Sequence, residues 1–251
     1  MSVVLAITLR PNPDTFSALD TLFPLIEELY SGLSIAVPET TLLESIQRLR
    51  AYPNTKVYPS AGNRRYQTVR QALTFAGANF IHYCDGDHAL ARMSAHEADW
   101  RASVQAIQQY DCIIIERTPE VFESYPPALR NTERIINAVG SYLLGRSVDL
   151  GAGARGFRRS AAEYLMQASS PETHALATDS EWPVLLHRAG FSIGSYSSSS
   201  ATYAITSPDM YARLHHVDQW AKRVEIARLI VQAALDAAQR SNLPIYGQSI
   251  C

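Results

Sequence analysis

Cysteine and lysine are both scarce in this chain. Its three cysteines, Cys84, Cys112 and Cys251, are odd in number and widely spaced, so they match neither a disulfide framework nor a zinc pattern. Lys56 and Lys222 are the only lysines among 22 basic residues. The arginine bias suits two-pronged phosphate recognition, although genome composition alone can produce it. A strong net charge is also missing: the formal value is −2, whereas domains that depend on bulk phosphate attraction are usually strongly basic. Nucleic acid is therefore not expected as a partner. No run reaches the ~18 apolar residues of a membrane span. Residues 1–10 lack the basic region that precedes the apolar core of an export signal. These absences lead to the expectation of a reduced, cytoplasmic setting with no transmembrane segment.

What the chain does have is a regular alternation in its first third. Residues 3–9 form a short β-rich apolar run ended by Arg10-Pro11-Asn12-Pro13. Asp14 can cap a helix carrying Phe16, Leu19, Phe23, Ile26 and Tyr30, with Pro24 interrupting its second half. Strands at 35–37 and 55–58 flank a helix at 42–49. A further helix bears Val69, Leu73 and Ala76, and a strand at 79–84 stops at Asp85. Strand–helix alternation of this kind predicts a doubly wound parallel sheet. Ligands then collect beyond the carboxyl ends of the strands, where Arg10, Glu39, residues 60–65 and residues 85–88 all fall. The second half predicts helices at 92–110, 130–144, 178–189 and 223–240, with strands at 112–116 and 191–196.

Asp85-Gly86-Asp87 follows an apolar strand directly. Two carboxylates there can share one hard cation, Mg²⁺ or Mn²⁺, with diphosphate oxygens completing its shell; a solvated turn is the alternative. Arg64 and Arg65 open a helix, a poor place for two cations unless an anion is present too. The stretch 151–156 fits a dinucleotide fingerprint letter for letter, but no strand–helix–strand unit surrounds it. A loop that lets a ligand approach closely is the preferred reading. Asp179 and Glu181 can act on an acceptor hydroxyl as bases or simply favour a helix start. Neighbouring helical residues point ~100° apart, so only one of His215 and His216 can reach a given ion, and His215 is chosen. His82 reads as a packed core histidine.

On these residues, from the opening strand through Glu39, Gly62 and the segment 80–87, the chain resembles the GT-A class of glycosyltransferases over most of residues 3–195. Within the class it is most similar to the mannosylglycerate and glucosylglycerate synthases, and also to the broad inverting family of polysaccharide synthases. It departs in having Gly62-Asn63-Arg64 where relatives often carry Gly-Lys-Gly, and its opening strand lacks Pro-Thr-Tyr-Asn. The resemblance implies one α/β GT-A domain over 1–251, a doubly wound, mainly parallel sheet with helices on both faces. Residues 1–88 would hold the nucleotide sugar and metal. Residues 89–251 would form the acceptor half with its C-terminal helix.

The resemblance further implies a nucleotide-diphosphate sugar donor held by Arg10, Glu39, Gly62, Arg64, Arg65, Asp85 and Gly153. Mn²⁺ or Mg²⁺ would sit on Asp85, Asp87 and His215. Asp179 aligns with the base of inverting members, and Glu181 shares its acidic segment. Retention is favoured over inversion, because the likeness to retaining synthases spans more of the chain. The acceptor is open, and so is the oligomeric state, a homodimer being one form. The competing readings are a sugar-nucleotide nucleotidyltransferase and a non-catalytic sugar-nucleotide-binding protein.

Overall fold

Seven strands form one sheet: β1 (Val3–Thr8), β2 (Gly32–Pro38), β3 (Thr55–Ser60), β4 (Phe80–Asp85), β5 (Cys112–Arg117), β6 (Ala154–Arg158) and β7 (Ile193–Ser198). The computed structural model describes residues 2–200 and 216–240. The sheet order is β3-β2-β1-β4-β6-β5-β7, and only β6 runs antiparallel to its neighbours. Both faces of the central strands are apolar. In β1, Val3, Leu5 and Ile7 enter one core while Val4 and Ala6 enter the other. A strand buried on both sides reads as a continuous apolar run, as residues 3–7 do.

Helices cover both faces, as the sequence predicts. One core takes Phe16, Leu19 and Ile26 of α1 (Pro13–Leu29), Ile46 and Leu49 of α2 (Leu43–Arg50), Met93 of α4 (Gly86–Ala95) and Trp100 of α5 (Glu97–Ala106). The other takes residues of α3 (Arg64–Ala72), α7 (Pro127–Leu144), α8 (Arg159–Ala168), α9 (Thr178–Arg188) and α10 (Val217–Gln239). The short α6 (Pro119–Glu123) follows β5. Among the described residues no helix is long and apolar enough to cross a membrane.

Several local expectations change. The cap of α1 is Asn12, whose Oδ1 accepts from the Thr15 N–H at 2.8 Å, and Asp14 lies in the first turn. Pro24 does not end α1: the hydrogen bond it removes is outweighed by burial of Phe23 just before it and Ile26 just after. The helix expected at 92–110 is two helices, since His96 leaves the helical region (φ −144°, ψ 52°). It also begins earlier, so Gly86, Asp87 and His88 form the first turn of α4. The fingerprint stretch is no nucleotide-binding turn: residues 150–152 make a 3-10 turn and residues 154–158 are β6. His82 is the core residue expected, bonded to the Tyr30 hydroxyl at 2.8 Å and stacked on Trp100. Burial pushes its pKa down to about 3.

The topology fixes where a ligand can enter. From β1 the chain winds outward through β2 and β3, then returns to place β4 on the other side of β1. The crevice at such a switch point, beyond the carboxyl ends of β1 and β4, is where open α/β sheets bind ligands. Thr8 and Asp85 are paired in register at that edge.

Candidate active site

Asp85 stands at the junction of two cavities. The first, about 420 Å³, is lined by Thr8, Arg10, Arg64, Asp85, Asp87 and His88. The second, about 230 Å³, shares Asp85 and His88 and adds Arg65, Glu133, Gly153 and Asp179. A third, about 430 Å³, continues from Arg10 past Pro38, Thr40 and Leu42. The three make a run along the carboxyl edge of the sheet.

The first cavity brings two arginines to one wall. Arg10 follows β1, and Arg64 is the first residue of α3, whose cap Asn63 accepts from the Tyr66 N–H at 3.1 Å. Neither arginine makes an ion pair or a side-chain hydrogen bond among the described residues. Burial lowers the pKa of Arg64, and the positive charge of Arg10 lowers it further. Two uncompensated guanidinium groups facing one cavity repel each other, and a bound phosphate would relieve both. The N-terminus of α4 opens on the same space, its peptide dipoles adding positive potential. Gly86 is required there. A Cβ on it would stand 2.3 Å from Leu9 Cδ2 and 2.6 Å from the Thr8 carbonyl oxygen, so only glycine lets α4 begin against β1.

Arg65 plays a different part from its neighbour. It is nearly buried and clamps two acids, with Nη1 to Asp179 Oδ1 at 2.6 Å and Nη2 to Asp85 Oδ2 at 2.7 Å. Burial opposes its charge, yet Asp179 and Asp85 outweigh that and hold its pKa well above the usual value. For Asp85, burial pulls upward, but Arg65 and the Tyr83 hydroxyl hold the carboxyl below its ordinary value. Gly153, at φ +67°, closes the other side: a Cβ there would lie 3.4 Å from Asp85 Oδ2. Asp87 is exposed and accepts only the His88 N–H at 3.0 Å.

A divalent ion fits this donor set in one respect. The described residues offer no group of three acidic, histidine or cysteine ligands. Asp87 is free, and Asp85 has one oxygen on Arg65 and the other on Tyr83 and Thr8. A pair of carboxylates suits a hard cation that keeps waters and arrives with phosphate oxygens. His215 lies outside the described residues. His216 caps α10 and pairs with Asp218 at 3.1 Å.

Other expected residues are not brought here. Glu39 and Gly62 are exposed and line none of the three cavities. Glu181 is buried elsewhere: Oε2 accepts from Ser169 and Oε1 from Arg240 at 2.8 Å. It lines a separate cavity with Arg228 and Asp236. Two participants were missed. Arg155 is fully buried and ties the Leu150, Ala154 and Asp179 carbonyls together, bracing the glycine turn against α9. Glu133 lies on the cavity face of α7. Sequence spacing held no sign of either, because their partners are far away in the chain.

No protein-family model matches the sequence, and the comparison with curated proteins gives no match. Solved structures do resemble it. A mannosyl-3-phosphoglycerate synthase from Rubrobacter xylanophilus superposes with a TM-score of 0.56 at 11% identity, over 99% of this chain and 79% of that one. The glucosyl-3-phosphoglycerate synthase of Mycobacterium tuberculosis, solved with Mn²⁺, uridine diphosphate and glucosyl-3-phosphoglycerate, gives 0.54 at 11%, over 94% and 80%. A 4-diphosphocytidyl-2C-methyl-D-erythritol synthase from Anaerococcus prevotii gives 0.50 at 10%, over 85% and 96%. What these likenesses establish is the architecture: the chain has the GT-A fold, a Rossmann-like, mainly parallel sheet shared with two glycerate-linked synthases.

Proposed function

We propose that this protein is a metal-dependent glycosyltransferase that moves a sugar from a nucleotide-diphosphate donor to a separate acceptor. The observation that carries the reading is the pair of uncompensated arginines, Arg10 and Arg64, facing Asp85 and Asp87 across one cavity at the switch point. An anion and a cation are both called for in the same 420 Å³. A nucleoside diphosphate with a divalent ion supplies both. The Mn²⁺ and uridine diphosphate held by the mycobacterial enzyme of the same fold are consistent with that choice.

In this reading the third cavity takes the nucleoside, the first the diphosphate, and the second the sugar and acceptor. Mn²⁺ or Mg²⁺ held by Asp87 and Asp85 would neutralise charge on the departing diphosphate. Arg64 and Arg10 grip the phosphate oxygens, and Arg65 fixes Asp85 and Asp179 in place. Calorimetry tests the reading. UDP and GDP should bind in the presence of Mn²⁺ and lose that binding with a chelator. Arg64→Ala should weaken diphosphate binding about tenfold or more while leaving uridine or guanosine binding unchanged. Equal losses for nucleoside and diphosphate would return Arg64 to a purely structural role.

Retention of anomeric configuration is the proposed stereochemistry. Arg65 Nη1 donates to Asp179 Oδ1 at 2.6 Å, so one oxygen of this carboxylate is occupied and the group is held to position a substrate rather than to take its proton. Asp179→Asn should therefore keep measurable transfer. If Asp179 were the base, the same change would cost on the order of 10²–10⁴-fold. Proton NMR of the first-formed product reads the configuration directly, and a flipped anomer would refute retention.

A further inference from the structure

We infer that Glu133 recognises the acceptor, and that the acceptor is a hydroxyl-rich neutral molecule, a polyol or sugar, whose hydroxyl groups donate hydrogen bonds to this carboxylate. The inference rests on the transferase reading, in which the 230 Å³ cavity receives the acceptor.

Glu133 is about nine-tenths buried, yet its Oε2 has no hydrogen bond of good geometry among the described residues. Its nearest cation is Arg117, with Nη2 2.6 Å from Oε2. Two of its three nitrogens are committed to another acid, while the buried Nη1 has no hydrogen-bond partner among the described residues. Nε and Nη2 form a two-pronged pair with Asp149 at 2.7 and 2.6 Å, and the group lies over the rings of Tyr125 and Phe122. Asp149 is fully served as well, accepting from Asn137 at 2.9 Å and from the Arg117 N–H at 3.1 Å. One buried cation thus faces two carboxylates, and Glu133 is the surplus one. Space has been left for it: a Cβ on Gly151 would lie 2.7 Å from its carboxyl.

A buried acceptor group with unused capacity is costly unless a ligand completes it. The surroundings indicate which ligand. Leu129, Ile136, Ile226 and Ile230 line the same cavity, giving an apolar wall for the C–H face of a sugar beside an oxygen pair for its hydroxyls. Asp85 and Asp179 face the same space, so a third acid there disfavours an anionic acceptor. The charged or titratable groups around Glu133 are Arg117 from β5, Asp149 before the 3-10 turn, Tyr125 and Arg223 of α10. Across the cavity stand Arg65, Asp85, His88 and Asp179. Burial, only partly opposed by Arg117, pushes the Glu133 carboxyl up to about 7. Its accepting, ionised form therefore fills as pH rises through neutrality.

Saturation-transfer NMR with methyl α-D-glucopyranoside and with glycerol tests this on the intact chain, at pH 6 and pH 8, for wild type and Glu133→Gln. At least one probe should bind wild type several-fold more tightly at pH 8, as the ionised fraction rises. Glu133→Gln should bind more weakly and with the pH response flattened. Equal affinity and equal pH response in the two proteins would overturn the inference, and so would failure of both probes to bind wild type at pH 8. Calorimetry of UDP with Mn²⁺ on the same samples separates the two layers. Unchanged UDP binding in Glu133→Gln shows that the variant is folded, so any lost sugar signal belongs to Glu133. Absent UDP binding in wild type would count against the transferase reading alone.

Discussion

The Asp87→Ala protein is expected to gain nothing from Mn²⁺: UDP or GDP plus the metal should raise its melting temperature no more than either component alone. Sugar transfer should fall at least about a hundredfold, since neutralising a leaving diphosphate supplies several kcal/mol and each ~1.4 kcal/mol is a factor of ten. Stability without ligand should change little. Asp87 is exposed, and among the described residues its one hydrogen bond is to the adjacent His88 N–H, so its loss removes no packing and no buried partner. The variant thus separates chemistry from folding. Full metal-dependent stabilisation in Asp87→Ala would remove this residue from the metal site.

Arg65→Met should do the reverse and damage the fold itself. It leaves Asp85 and Asp179 facing each other with no cation between them. Removing one partner of a buried pair costs about 3–5 kcal/mol, and the partial exposure of Asp85 places the expected loss near the lower figure. Denaturant unfolding measures it. The acid limb gives a second check. In wild type the Asp85 pKa is lowered, so its contribution is present above the unfolded value of ~3.9 and is lost as pH falls through the folded value. In Arg65→Met, burial acts with no guanidinium against it and the Asp85 pKa rises. The penalty then exists at neutral pH and fades as acid protonates the carboxyl. The stability gap between the two proteins should begin to narrow as pH falls through the raised Asp85 value of the variant and go on narrowing below the unfolded value of ~3.9. Adding Asp179→Asn should restore part of the loss, whereas a gap that ignores both pH and Asp179 would show that Arg65 stabilises by packing alone.

The sequence disclosed residues 3–85 of this molecule more fully than the rest, for a physical reason. In residues 3–85 each strand is followed by its own helix, and short continuous apolar runs give way to a 3.6-residue period. Switch-point geometry then gathers Arg10, Arg64 and Asp85 without further information. Beyond Asp85 the fold depends on contacts between distant residues. β6 reads as a loop in the sequence because Gly153 just before it and Gly156 within it weaken the strand pattern, and Gly156 is there to admit Ile107 and Ile113 at close range. Glu181 reads as catalytic because it sits two residues after Asp179, but a two-residue step turns ~200° about the helix axis and sends them to different cavities. Glu39 and Gly62 fell at strand ends, and a strand end gives a residue's position along the edge, not the direction of its side chain.

The reversal of β6 has a modular consequence. β5 leaves the sheet at its ligand edge, and β6 re-enters beside it, antiparallel. Residues 118–153 are therefore the loop of one very long hairpin, with both ends anchored on adjacent strands. Tyr125, Leu129, Thr132, Glu133, Ile136, Gly151 and Gly153 all belong to that single excursion, while Arg10, Arg64, Asp85 and Asp87 lie outside it. Closing a loop between neighbouring strands costs only slightly more as the loop lengthens. On the proposed transferase reading, an excursion transplanted from another protein of this fold would change what is glycosylated and leave the grip on the nucleotide as it stands.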